Sequence, residues 1–308
     1  MRTALDCVPC LLRQALEAAR FASSDPAVHE QVIRRTLAEL SEFDLASPPP
    51  VAAGSIHRVV RGILGKADPY AETKHSFTQR ALELLPELCR RVDESADPFD
   101  AAIRMAAAGN IIDLGVKGDL THDDVDRAIE RAASVPVDDA AIEELRRAAG
   151  AAESILYIAD NAGEIVFDRL FLEKLPRGRV KVAVKGGAVI NDATRGDAED
   201  AGIAEIAEII DTGDDTPGAV LEEASADFNR EVEEADLVIA KGQGNYEALS
   251  NPPRDIYFLL MVKCDVLAEN AAAPLGTLFV GRHGPSGTGA EGGDAAGRAR
   301  PHPPAGSL

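Results

Sequence analysis

Ile155-Leu156-Tyr157-Ile158-Ala159-Asp160-Asn161-Ala162-Gly163-Glu164 is the stretch at which the pattern of the chain changes. Five apolar residues end on two polar side chains and a glycine, and helical spacing of apolar residues follows. A run this short and this apolar reads as a strand buried on both faces. The pattern recurs at Val180–Val184 and Leu237–Ala240, each followed by a polar, Gly-containing turn and then a helix. Tyr257–Val262 and Thr277–Val280 are two later strand candidates. Strands alternating with helices predict an α/β fold with a mostly parallel sheet over residues 151–281.

Upstream of this stretch the spacing is helical throughout. Apolar residues recur three and four apart in Leu11–Phe21, Val32–Leu40, Ile56–Leu64, Phe77–Leu88 and Ala101–Ala108. Breaks fall at Ser47 with Pro48–Pro50, at Asp97-Pro98 and at Gly109. Thr121 followed by Asp124 resembles a further helix start. Residues 1–150 therefore read as a helical domain of six or seven helices. Beyond the last strand candidate, residues 282–308 form a Gly/Pro-rich tail expected to be disordered, because its composition offers little to bury.

Composition narrows the function classes. The 308 residues hold 52 acidic and 32 basic side chains, for a net charge of −20. Such a field repels phosphate backbones and anionic headgroups, so neither nucleic acid nor membrane is an expected partner. No apolar run reaches the length of a membrane-spanning helix, and Met1–Asp6 lacks the apolar core of a signal peptide. Four cysteines in a chain of this length are no disulfide scaffold. A cytoplasmic location is the expectation. There is no G-x-x-x-x-G-K-[ST], H-E-x-x-H or G-x-S-x-G. Gly242-Gln243-Gly244 lacks the third glycine of a dinucleotide fingerprint, with Glu247 in its place.

The candidate chemistry sits at the strand ends, where open α/β sheets bind ligands. Asp160 offers carboxylate oxygens and Asn161 an amide carbonyl, both suited to a hard cation such as Mg²⁺ or Mn²⁺. Either residue also makes an ordinary helix N-cap. Gly163 would let the backbone turn tightly before the helix. Asp192, in Lys185-Gly186-Gly187-Ala188-Val189-Ile190-Asn191-Asp192-Ala193-Thr194, occupies an equivalent turn. It completes a metal site or caps the helix expected at Ala193–Gly202. Lys185 neutralises a substrate phosphate or is simply solvated. Lys241 and Asn245, in Lys241-Gly242-Gln243-Gly244-Asn245-Tyr246, supply donors to an anion. Lys263 would add a fourth polar group to the same rim, or be a surface lysine. In the amino-terminal half, Gly109 looks like a helix C′ residue and Asn110 part of the same turn. Cys7-Val8-Pro9-Cys10 opens a helix with Asp6 as its expected cap, which leaves redox, metal or packing roles open.

These residues resemble the DUF89 family, the metal-dependent damage-control phosphatases or ARMT1-like proteins. The resemblance runs through DCVPCLLRQALEAAR, GNIIDLG, DNAGE, KGGAVINDAT, KGQGNYEAL and KCDVLAEN, over about residues 3–281. The C-x-x-C opening is similar to the prokaryotic branch. The resemblance implies a helical amino-terminal domain with a Rossmann-like α/β/α domain. It implies a divalent metal (Mn²⁺, Co²⁺, Ni²⁺ or Mg²⁺) held by Asp160, Asn161 and Asp192. Its phosphate-side groups fall on Asn110, Glu164, Lys241, Asn245 and Lys263, with Lys241 also counted as catalytic. The expected substrate is a small phosphate monoester of a sugar or related metabolite, hydrolysed by water or through Asp160 as nucleophile. Met261-Val262 stands where eukaryotic branches carry Arg-Thr before the lysine, which touches substrate identity. Competing readings are a phosphometabolite-binding protein without turnover and a carboxyl methyltransferase. The latter needs a cofactor-binding glycine turn, whereas the turn after the first strand is acidic.

Overall fold

The computed structural model describes residues 1–109, 126–127, 130 and 132–285. The helix start at Thr121 and Asp124 lies outside them. The order is α1 (Cys7–Ala22), α2 (Pro26–Glu42), α3 (Pro49–Leu64), α4 (Ala71–Glu94), α5 (Pro98–Ala108), α6 (Asp139–Ala151), β1 (Ile155–Ile158) and α7 (Glu164–Leu172). Then follow β2 (Val180–Val184), α8 (Arg195–Asp200), β3 (Glu208–Asp211), α9 (Ala226–Glu234) and β4 (Leu237–Lys241). The chain continues through α10 (Gly242–Leu249), β5 (Ile256–Met261), α11 (Asp265–Ala271) and β6 (Leu278–His283).

Local chemistry sets these boundaries. Asp97 caps α5 by accepting from the N–H groups of Phe99 and Asp100, each at 3.1 Å, with Pro98 at the first helical position. Pro49 and Pro50 start α3, since a first turn needs no N–H donor from them. Asp6 makes no side-chain capping bond to α1. The helix after Asp192 is shorter than expected and begins at Arg195, fixed by a reciprocal Thr194–Asp197 capping box.

The sheet runs β3-β2-β1-β4-β5-β6, parallel except for the antiparallel β5–β6 edge. Alternate residues feed two cores. Ile155, Tyr157, Val182, Ile239 and Leu259 face one side, against α4, α5, α6 and α7. Leu156, Ile158, Val238, Phe258 and Leu260 face the other, against α9, α10 and α11. Helices α1, α2 and α3 close around a third core of Leu11, Ala15, Val32, Ile56 and Val60. Thus α4–α6, although in the amino-terminal half, pack on the sheet.

Two elements differ from expectation. β3 was not expected: it is a half-exposed edge strand, Glu-Ile-Ile-Asp, with only two apolar side chains. β6 runs to His283, and Arg282 pairs with Asp255 at 2.9 Å. Arg282 and His283 therefore belong to the sheet and not to a disordered tail; residues 286–308 lie outside the described residues.

Arg61 donates to the Ala188 carbonyl at 2.6 Å and pairs with Asp215, and Arg58 reaches Asp215 at 2.8 Å. These bonds tie α3, and with it α1, over the carboxyl ends of the strands.

Candidate active site

The strand order reverses between β1 and β4, and a doubly wound sheet opens a crevice at such a reversal. Asp160 follows β1 and Lys241 ends β4, its neighbour in the sheet. The loop after β2 reaches the same point. Asn161 and Asp192 form an isolated antiparallel bridge, with Ala162 N–H on Asn191 O at 2.9 Å and Ala193 N–H on Asp160 O at 2.8 Å. Backbone pairing therefore brings Asp160, Asn161 and Asp192 together. Gly242 closes the other side of the Asp160 carboxylate. Its φ is +81°, and a Cβ there would lie 1.9 Å from Asp160 Oδ2, so only glycine fits.

Both acids are enclosed. Burial, then Glu164 and Asp192, push the Asp160 carboxyl well above its ordinary range, against the opposing pull of Lys241 and Lys263. Burial likewise lifts Asp192 to about 6, opposed by Lys185 and by the Gly218 N–H. Asn161 donates to Asp160 Oδ2 at 3.0 Å and to Glu164 Oε2 at 3.1 Å. Its amide nitrogen is turned to carboxylates, so its carbonyl oxygen is what it offers a cation. Half-buried Asp160 and buried Asp192, the second disfavouring the charge of the first, fit a hard divalent cation together with the amide oxygen beside them. Among the described residues, no group of three or more His, Cys, Asp or Glu is placed to hold a metal ion, so the candidate set here is two acids and one amide.

Lys241 takes a different position from the phosphate-side one expected. Its ammonium is buried and donates to Glu164 Oε1 at 2.8 Å, Asp168 Oδ1 at 2.5 Å and the Ala106 carbonyl at 2.9 Å. All three protons are engaged, so it braces the acids from behind. Burial lowers its pKa, but Asp168 and Glu164 outweigh that and hold it above the ordinary lysine value. Asn245 also departs from the expected donor role. Its amide N–H groups go to Ala159 O at 3.0 Å and Lys241 O at 2.7 Å, joining the ends of β1 and β4. Lys185 is buried and donates to the Gly218 carbonyl, which sets the loop that carries the N–H facing Asp192. Glu164 is buried between Asn161 and Lys241. Gly163 is in the ordinary helical region and is required for space: a Cβ would meet Phe77 at 2.8 Å. Gly109 is likewise right-handed, and it lets α5 pack against Glu164 and Phe167. Asn110 lies outside the described residues.

The two acids and Asn161 open into a cavity of about 730 Å³. Exposed Lys263 stands on its wall, as do Arg13 and Gln14 of α1 and Pro49, Pro50 and Ala53 of α3. Cys7 and Cys10 line it too, joined by Cys264. The cysteine pair, expected to lie apart in another domain, therefore shares the cavity with the strand-end acids. Sequence reasoning missed Asp168 and the α3 wall. Glu164 and Asp168 stand one helical turn apart, a spacing that puts both on one face and was available as a signal; nothing local marks Pro49 and Pro50 as cavity residues.

Comparisons with known proteins agree with this fold. The model of the family described as damage-control phosphatase ARMT1-like domain matches residues 3–278. An uncharacterised protein of Methanocaldococcus jannaschii is 34% identical over 284 residues, covering 88% of this chain and 92% of its own length. A protein of Archaeoglobus fulgidus named damage-control phosphatase is 34% identical over 88% of this chain and 96% of its own. The crystal structure of a DUF89 family protein from Pyrococcus horikoshii superposes with a TM-score of 0.82 at 31% identity, covering 90% of this chain and 98% of the other.

Proposed function

The chain belongs to the damage-control phosphatase ARMT1-like family, and from that premise we propose that it hydrolyses phosphate monoesters of sugars or related metabolites with a divalent metal held by Asp160, Asn161 and Asp192. Relatives named as phosphatases support a phosphatase-type role in general. The observation that carries the finer reading is that Asp160 and Asp192, brought together by the backbone bridge at Asn161 and Asp192, line one cavity, and burial is the main cause that raises the pKa of each.

Each residue has a task. Asp160 and Asp192 present hard oxygens, and Glu164 fixes the Asn161 amide so that its carbonyl stays directed to the same point. The Lys241–Glu164–Asp168 cluster holds Glu164 in turn and ties the site to α5. When bound, the metal supplies charge that polarises a phosphoryl oxygen and makes water more acidic. Lys263 and Arg13, the cationic side chains of the cavity wall among the described residues, offset charge on the non-transferred phosphate oxygens. The remaining volume receives the alcohol part of the ester.

The test is release of inorganic phosphate from a panel of sugar phosphates, phosphopantetheine derivatives and nucleotides, using chelator-treated protein with and without Mn²⁺. Metal-dependent turnover of at least one monoester is expected. Binding without release would favour a metabolite-binding protein instead.

A further inference from the structure

The C-x-x-C pair has no task in the proposed reaction, yet it stands on the wall of the same cavity. Cys7 opens α1 and Cys10 follows three residues later, so both lie on one face of the helix, one turn apart. Both are half-buried free thiols. Cys264 reaches the same cavity from the other half of the chain, at the start of α11. Cys89 packs against the core of α4–α7. Two of the cavity sulfurs carry polar partners: Arg13 Nη2 donates to Cys10 Sγ at 3.7 Å, and Gln243 Nε2 donates to Cys264 Sγ at 3.7 Å. Helix geometry separates the Cα atoms of positions i and i+3 by about 5 Å. That lies inside the roughly 4.4–6.8 Å that a disulfide spans. The backbone of α1 therefore need not move for the two sulfurs to join.

We propose that Cys7 and Cys10 form a thiol–disulfide switch on the cavity wall, closed by low-molecular-weight disulfides of the glutathione class. The thiolate of one cysteine attacks a sulfur of the small disulfide, whose S–S bond breaks as one small thiol leaves. The second cysteine then attacks the mixed disulfide, joining Cys7 to Cys10 and releasing the other small thiol. Two electrons pass to the small disulfide, and the two cysteine protons end on the two small thiols. Closure takes Cys10 Sγ away from Arg13, releasing one of the two cationic side chains that line the cavity among the described residues. The consequence for turnover rests on the phosphatase reading, while formation of the bond does not.

The protein is incubated with oxidised glutathione, mapped by intact mass and linked peptides, and assayed for phosphate release before and after dithiothreitol. A Cys7–Cys10 link is expected, with kcat/KM lowered about fivefold, mainly through KM, and restored by the reductant. Turnover of Cys10→Ser should not respond to the oxidant, whereas Cys89→Ser should respond as the parent does. Absence of the link, a link through Cys264 in its place, or a Cys7–Cys10 link with unchanged kcat/KM overturns the proposal. If the reduced protein hydrolyses no monoester, the phosphatase reading fails separately. The switch is then decided by the shift in melting temperature that inorganic phosphate with Mn²⁺ produces in reduced and oxidised protein; equal shifts overturn it.

Discussion

Replacing Lys241 by Met separates the brace described above from a phosphate-binding role. Met fills a similar volume, so little cavity is created and the change falls on charge. The exposure of the three side chains is 1% for Lys241, 3% for Glu164 and 0% for Asp168. Removing the cation that contacts both acids leaves two carboxylates in low dielectric, a loss of about 3–5 kcal/mol. The pH dependence follows from Asp168, whose pKa burial already raises from 3.8 to about 6. The folded chain holds a proton there that the unfolded chain releases. Its contribution to stability is therefore full below 3.8 and lost as pH climbs through about 6, a difference of about 3 kcal/mol. Without Lys241 the carboxyl rises further and the window extends upward. Denaturant unfolding at pH 8 and pH 5.5 should show a large deficit of Lys241→Met against the parent at pH 8, narrowing at pH 5.5. Parental stability at pH 8, or a deficit indifferent to pH, would refute the brace and return Lys241 to the substrate.

Other changes have definite expectations. Asp160→Ala and Asp192→Ala each should abolish Mn²⁺-dependent phosphate release, with metal affinity falling by more than the roughly 10–100-fold typical of supporting residues; Mn²⁺ titrations followed by melting temperature check this. In the metal-free protein Asp160→Asn should melt at or above the parent, because it removes the charge that burial, Glu164 and Asp192 oppose. Gly242→Ala should cost about 1–2 kcal/mol in backbone strain. Its added methyl would displace the Asp160 carboxylate, so Mn²⁺ binding should suffer more than the thermal melt. Deleting residues 286–308 should leave the melting temperature unchanged, whereas deleting from 282 removes the Arg282–Asp255 pair and the end of β6 and should lower it.

The strands that were legible in the sequence are the four buried on both faces, together with the first part of the edge strand β6. β1, β5 and β4 up to Ala240 are continuous apolar runs, and β2 is interrupted only by half-buried Lys181, because helices cover both sides of the sheet. β3, an edge strand, carries Glu208 and Asp211 at its ends and has no such run. In the site, Asp160, Asn161 and Asp192 could be singled out because a strand end followed by a helix fixes where a side chain emerges. Lys241 and Asn245 shared that placement, but their direction depends on what lies behind the sheet. The Ala106 carbonyl and Asp168 for one, and the Ala159 carbonyl for the other, become partners only when α5, α7 and β1 meet. The cysteine pair was visible as a motif and not as a cavity wall. Its position follows from α3 being fastened to the 188 and 215 loops, a contact between segments more than 120 residues apart.

Anomalous diffraction from crystals grown with Mn²⁺ tests the central claim most directly. A single strong peak is predicted within coordinating distance of the carboxylate oxygens of Asp160 and Asp192 and the amide oxygen of Asn161, absent in Asp192→Ala crystals prepared alike. Density that avoids these three residues, or that settles at Cys7, Cys10 and Cys264 instead, would contradict it.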